Sequence, residues 1–481
     1  MDINLHRVDR FRWVIPRTGN MRVPGLIFSS DELIKGVQQD ESLVQVANVA
    51  MLPGIVSNAL GMPDIHWGYG FPIGGVAAFD ADEGIVSPGG VGYDINCGCR
   101  LMTTALLAAD VRAVIKPLVT ALFNNIPTGV GSTGALRLSK KDEASVALQG
   151  AAWAVNQGLG DPEDLDRTED RGTMVMADPS VLSERAIKRG MDQLGTLGSG
   201  NHFLEVQAVD TIYDPVKAQA FGLFEGQLTI LIHSGSRGFG HQICDDFLKE
   251  MGTLKAADRI PFPLPDRQLV CAGLHSDTGR RYLAAMACAA NYAWANRQIL
   301  MHRTRETLMQ VLAVGPKTLG MRLLYDVCHN IAKKERHVVD GQERVLCVHR
   351  KGATRSLPPG HPLLPSIYRD AGQPVLIPGD MGTFSYVLAG AEGAMNETFA
   401  STCHGAGRAL SRNLAIKRAR GRAIHRELED RGIFVLSRGK QTLKEEMPEA
   451  YKDVSHVVEV VHETNLARKV ARLRPMGVIK G

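Results

Sequence analysis

Four glycine clusters, each next to an apolar stretch, constrain this chain more than any other feature: GYGFPIGG at 68–75, SPGGVGYDINCGCR at 87–100, GTLGSGNH at 195–202 and HSGSRGFGH at 233–241. Glycine reaches backbone conformations closed to other residues, so such clusters mark loops that leave strands or approach a ligand closely. His, Cys, Asp or Asn sits inside cluster after cluster, which plain turn chemistry explains poorly. Strand-like stretches include VQVANVAML before the first cluster, LTILIH at 228–233 and QPVLIP at 373–378. Helix-like stretches are the Ala-rich run at 279–303 and the basic run ALSRNLAIKRARGRAIHRELEDRG at 409–432. Strands and helices come in blocks rather than in βαβ alternation, which predicts an α+β fold. With no linker-like run and no repeat, residues 1–481 read as a single domain.

Charge and cysteine narrow the function classes. The 55 basic residues against 51 acidic ones leave a net charge of only +4, so any nucleic-acid contact must be a local patch. The charged start MDINLHRVDRFRW and the lack of any apolar run of membrane length predict a cytoplasmic protein with no membrane partner. Eight cysteines are too scattered for a disulfide framework, so each is core filler or chemistry.

Several loops offer metal ligands. In GYDINCGCR, Asp94 and Cys97 are spaced so that one turn can present a carboxylate and a thiolate to one ion. His202 and His233 border glycine loops, and His329 lies in YDVCHNIA. Each alone reads as a buried core residue, but four loops together supply about what two divalent ions need. Ligand softness by itself favours zinc, because thiolate and imidazole suit it.

Neither a P-loop nor the KxDG lysine of ATP-dependent ligases occurs. In STCHGAGRALSR, His404 precedes Gly405, Ala406 and Gly407, with Arg408 and Arg412 at the start of an apparent helix. Small residues let amides approach a phosphate, and a neutral imidazole can attack phosphorus; for this segment alone, a helix-capping loop with a structural His is the favoured account. The turn after QPVLIP brings Gly379, Asp380, Met381 and Ser385 as candidates for a base or ribose pocket. Lys480, near the end of RLRPMGVIKG, reaches a nucleotide only if that end is ordered. Lys351 and Arg355 in HRKGATR join the basic run near His404 as candidate phosphate contacts, with a solvated charged face as the plainer account.

Taken together, GYDINCGCR, LGSGNHFLEV, HSGSRGFGHQ, YDVCHNIAK, HRKGATR, GDMGTFSYVLAG, STCHGAGRALSR and RPMGVIKG strongly resemble the RtcB family of RNA ligases, from about residue 20 onward. The resemblance implies mixed and antiparallel sheets around a dinuclear metal cleft. It also implies two manganese ions, one held by Asp94, Cys97 and His202 and the other by Cys97, His233 and His329, with the thiolate bridging. His404 is then the residue that takes GMP from GTP. Nucleotide contacts fall to Asn201, His202, Phe203, Leu204, Glu205, His329, Pro378, Gly379, Asp380, Met381, Ser385, the 404–407 loop, Tyr451 and Lys480. The implied substrates are RNA ends, as in tRNA splicing or RNA repair: a 2′,3′-cyclic phosphate or 3′-phosphate and a 5′-hydroxyl. Archease, the activating protein of some relatives, is an implied partner. Three features depart from the family pattern: PDIHWGYG carries Trp67 at a variable position, Cys99 adds a second thiol beside Cys97, and Asp380 stands where relatives have Ser or Thr. A dinuclear phosphoesterase or nuclease, and a non-catalytic RNA-binding module, are the rival readings.

Overall fold

The computed structural model describes residues 3–134, 136–254 and 262–481 and is mixed α+β, with two large sheets. The larger sheet runs, in order, Arg322–Cys328, Gly98–Leu107, Gln227–Ser234, Phe203–Ile212, Ala467–Lys480, Ser385–Gly390 and Pro374–Ile377, each antiparallel to its neighbour. Phe434–Ser437 lies parallel to the end of Ala467–Lys480. The second sheet has seven strands and includes the consecutive neighbours Ala59–His66, Ile73–Asp80 and Gln342–Lys351.

The Gln227–Ser234 strand shows why the larger sheet is interior. Leu231 packs into one apolar cluster while Ile230 and Ile232 pack into another, so both faces are buried and the segment reads as a continuous apolar run. One of the elements packed against the sheet is the 36-residue helix Asp277–Leu312, about 54 Å long at 1.5 Å per residue. Ser276 caps it by accepting the Gly279 N–H, and from Leu283 to Met301 it is buried apart from Ala284, as expected of a helix apolar on most sides. Among the described residues, no helix is long and apolar enough to cross a membrane.

Two sequence expectations need correction. VQVANVAML is not a strand; Ser42–Val49 is a helix, because Leu43, Val46, Ala47 and Ala50 follow the helical period and are buried. The basic run at 409–432 is two short helices, Arg412–Arg418 and Ile424–Asp430. Gly421 between them has φ +77°, which a helix cannot continue through. The strands expected at 228–233 and 373–378 are present, and the expected helix at 279–303 is longer than its signal.

Candidate active site

Antiparallel register gathers the candidate ligands at one edge of the larger sheet. Gly98 pairs with Ser234 and with Cys328, Cys99 and Phe203 both pair with His233, and Lys480 pairs with Phe203. Cys97, His202 and His329 each sit one residue beyond a strand end, and His233 lies next to the end of its own strand. Five distant segments therefore converge without any sequence proximity. The Cys97 loop is held by its neighbour: Asn96 has φ +53°, an unusual value for a non-glycine residue, and donates its amide to Asn330 O at 2.7 Å. Arg297 donates to Asn96 O at 2.7 Å from the other side.

The side chains form two overlapping donor sets, Asp94–Cys97–His202 and Cys97–His233–His329, each with its ligand atoms within 4.8 Å of one another. Cys97 Sγ lies 3.3 Å from His202 Nε2 and 3.2 Å from His233 Nε2, and His233 Nε2 lies 3.2 Å from His329 Nε2. Asp94 Oδ2 is 2.7 Å from His202 Nε2. Burial holds both His233 and His329 well below the usual imidazole range, with neighbouring imidazoles adding to the effect. Burial and Asp94 push the Cys97 thiol up. Burial opposes ionisation of Asp94, yet His202 and Arg237 hold its carboxyl below the usual range. Imidazole nitrogens that face one another around a sulfur and a carboxyl form a donor set of the kind that holds metal ions. These residues therefore fit two divalent cations.

His404 stands beside this cluster, its ring centroid 4.7 Å from that of His329. The Ala353–Arg355 and Ser401–Cys403 strands pair Ala353 with Cys403, and the Ala353 amide donates to His329 O at 3.1 Å, which fixes the approach. His404 Nδ1 is 2.6 Å from Asp64 Oδ2, and the same oxygen accepts the His404 amide at 3.1 Å. Asp64 is fully buried within the Ala59–His66 strand, in the PDIH segment, and sequence reasoning gave it no role. Two glycines let the segments meet. A Cβ on Gly74 (φ +83°) would stand 2.8 Å from Asp64 Oδ1, and one on Gly407 (φ +72°) would stand 2.2 Å from Asp64 O. Arg237, half-buried with its Nη1 3.2 Å from His202 Nδ1, is a second residue the sequence reading left unassigned.

Two cavities open on His404. The first, about 850 Å³ counting its mouth, is lined by Asn201, Phe203, Glu205, Pro378 to Met381, His404 to Arg408, Arg412, Tyr451 and Lys480, with His66, Ile73 and His233. The second, about 2120 Å³ on the same measure, shares His66, Ile73, Asn201, His404, Arg408 and Arg412 with the first and reaches Asp94, Cys97 and His329. Most expected nucleotide residues thus line the first cavity, with four exceptions. Leu204 points away into an apolar cluster, because side chains alternate along a strand. Ser385 lies one layer behind, accepting from Gln207, which in turn donates to Glu205 at 2.5 Å. His202 and His329 belong to the metal cluster instead.

Charge in the first cavity is divided. Burial, with Asp380 nearby, raises Glu205 to about 8. Asp380 spends its oxygens on its own turn, accepting the Gly382 amide and the Thr383 hydroxyl, each at 2.7 Å. Lys480 is anchored inside the sheet, between Ser437 and Phe203, and its Nζ lies 3.6 Å from buried Glu446. Tyr451 donates to Glu446, and Arg408 is 3.0 Å from the same carboxylate. Arg412 is exposed and faces both cavities. Arg355 does not serve as a phosphate contact: it is buried and paired with Glu169 at 3.3 Å and Asp170 at 3.0 Å. Lys351 lines the second cavity, but its Nζ is tied to the carbonyls of Tyr69 and Phe71 at 2.5 and 3.0 Å, and burial lowers it to about 7.

Residues 45–481 match the family model described as tRNA-splicing ligase RtcB. The chain is 54% identical to the tRNA-splicing ligase RtcB of Thermococcus kodakarensis over 480 residues, covering all of this chain and 99% of that relative. It is 51% identical to the protein of the same name from Archaeoglobus fulgidus, over 99% of both chains. The RNA-splicing ligase RtcB of Mycobacterium tuberculosis is 54% identical over 441 residues, 91% of this chain and all of that one.

Proposed function

The chain belongs to the RtcB family of RNA ligases, and from that premise we propose that it joins RNA ends at the expense of GTP, with His404 carrying GMP. The observation that carries this reading is the Asp64–His404 pair at the junction of the two cavities. Asp64 accepts from Nδ1, which fixes the tautomer and leaves the Nε2 lone pair as the nucleophile.

GTP occupies the first cavity. Guanine presents an O6 acceptor beside N–H donors, which suits a lysine next to a carboxyl group whose oxygen accepts, here Lys480 and Glu205. The 404–407 loop and Arg412 face the phosphates. Nε2 attacks the α-phosphorus, the bond to the β-phosphate oxygen breaks, and pyrophosphate leaves. Asp64 stabilises the imidazolium that forms, as a buried carboxylate does for a catalytic histidine.

RNA ends enter the second cavity. A cyclic end is first opened by water to a 3′-phosphate. An oxygen of that phosphate attacks the GMP phosphorus, and the electron pair returns to Nε2. The 5′-hydroxyl then attacks the RNA phosphorus, loses its proton and expels GMP, leaving a 3′,5′ bond. Asp94, Cys97, His202, His233 and His329 would hold two manganese ions, which offset charge on the phosphate oxygens. tRNA halves or broken RNA are the substrates, and archease the activator, on this reading.

Incubating the protein with α-labelled GTP and manganese tests it. The expected result is a protein-bound label that acid strips and alkali leaves, and that His404→Ala loses. An unlabelled parent protein would overturn the mechanism and leave a dinuclear phosphoesterase as the better account.

A further inference from the structure

The second cavity carries a feature that joining chemistry does not require. Trp67 lies on its rim with 58% of its surface exposed, an unusual fate for an indole that buries so much apolar area when it packs. Its backbone is held firmly all the same. The Trp67 amide donates to Asp40 Oδ2 at 3.1 Å, and the next residue, Gly68, exchanges hydrogen bonds with the Gln45 amide at 2.6 and 3.0 Å. The ring is therefore presented from a fixed loop. Tyr69, Tyr93 and His241 line the same cavity, with Tyr93 4.7 Å from His241 and 5.7 Å from Tyr69 between ring centroids. Arg412, from the helix after the His404 loop, faces the same space. Aromatic faces together with an exposed guanidinium are the chemistry of a single-stranded nucleic-acid groove, in which bases stack and the backbone is neutralised.

We propose that Trp67, with the Tyr69–Tyr93–His241 wall, is a stacking platform for the unpaired terminal bases of the RNA whose 3′-phosphate reaches His404. This rests on the ligase reading. Stacking needs only a base's face, so the platform tolerates sequence but demands unpaired bases, which makes it a selector for strand state.

Trp67 also supplies the readout. Trp153 and Trp294 are buried and Trp13 half-buried, so emission that responds to a ligand at the rim comes from Trp67. Titrating the full chain with a single-stranded oligoribonucleotide bearing a 3′-phosphate should quench emission in the parent and not in Trp67→Phe. In joining assays, Trp67→Ala should raise the KM for RNA about 5- to 100-fold, with kcat and GTP labelling of His404 changed little, and Trp67→Phe should keep most of the affinity. Equal KM in parent and Trp67→Ala, or unquenched emission in the parent, overturns the platform. Equal quenching by a blunt duplex overturns its preference for unpaired ends. Absence of GTP labelling in the parent strikes the ligase reading, while the quenching titration, which needs no GTP, still decides whether Trp67 meets RNA.

Discussion

Two buried polar clusters flank the Cys97 loop and are built on opposite principles. In one, Asp94, Cys97, His202, His233 and His329 aim acceptors at one another. In the other, fully buried Asp326 accepts from Arg100 Nε at 2.7 Å, from Arg297 Nε at 2.8 Å and from Arg297 Nη2 at 2.8 Å. The remaining guanidinium N–H groups there go to Gln298, Thr168, Asn96 and Ser234. The paired cluster satisfies its own hydrogen bonds, whereas the converging one brings together ligand atoms of the kind that divalent ions take. Burial alone does not distinguish chemistry from architecture; the balance of donors and acceptors does. The two also touch, because Arg297, which pairs with Asp326, donates to Asn96 O in the loop that carries Cys97.

The largest expected effect follows from Cys97, whose sulfur belongs to both donor sets. Cys97→Ala should lose bound metal, read by elemental analysis, and cut RNA joining by at least about 10³-fold, since metal ions contribute several kcal/mol to stabilising phosphoryl transition states. Its thermal midpoint in chelator should stay close to that of the parent. A variant that kept two ions and full joining would erase the distinction drawn between the clusters.

Asp326→Ala probes the other side. Removing the carboxylate strands two buried guanidiniums, which should cost about 3–5 kcal/mol of stability by urea unfolding. Joining per folded molecule should fall less than in Cys97→Ala, through loosening of the Asn96 turn. A cost below about 1 kcal/mol would mean that the paired cluster is not the architectural element its geometry implies.

The contrast between the clusters was only partly legible in the sequence. Residue types in glycine loops pointed to Asp94, Cys97 and the three histidines, and the family's motifs gave each a role. Asp64 escaped because it is 340 residues from His404 in sequence and meets it only through the register of other strands. The Ser42–Val49 helix was hidden by β-branched residues that fit either period, and the inward Leu43 and Val46 decide it only once a core is present. Arg355 read as either a candidate phosphate contact or a solvated charge because its partners, Glu169 and Asp170, lie far upstream. Leu204 and Ser385 read as cavity residues because motif matching does not know which way a strand side chain points. The α+β class was legible throughout, since it depends on the order of elements and not on their contacts.

Glu143 gives the smallest and sharpest test, because it is buried and unpartnered yet belongs to neither cluster. Both of its carboxyl oxygens lack a hydrogen-bond partner among the described residues, and burial raises it from the ordinary 4.5 to about 8. The folded protein therefore keeps this proton up to about pH 8, while the unfolded chain gives it up near 4.5. Between those values the folded state binds more protons, so stability from this group is full at low pH and declines as pH rises. Glu143→Gln, a neutral copy of the protonated form, should match the parent near pH 4 and exceed it by about 1–3 kcal/mol at pH 9, measured by unfolding across that range. Joining activity should not change. An unpartnered group without convergent neighbours then affects stability alone, whereas loss of metal or joining in Glu143→Gln would show that unsatisfied burial by itself, and not convergence, marks function in this fold.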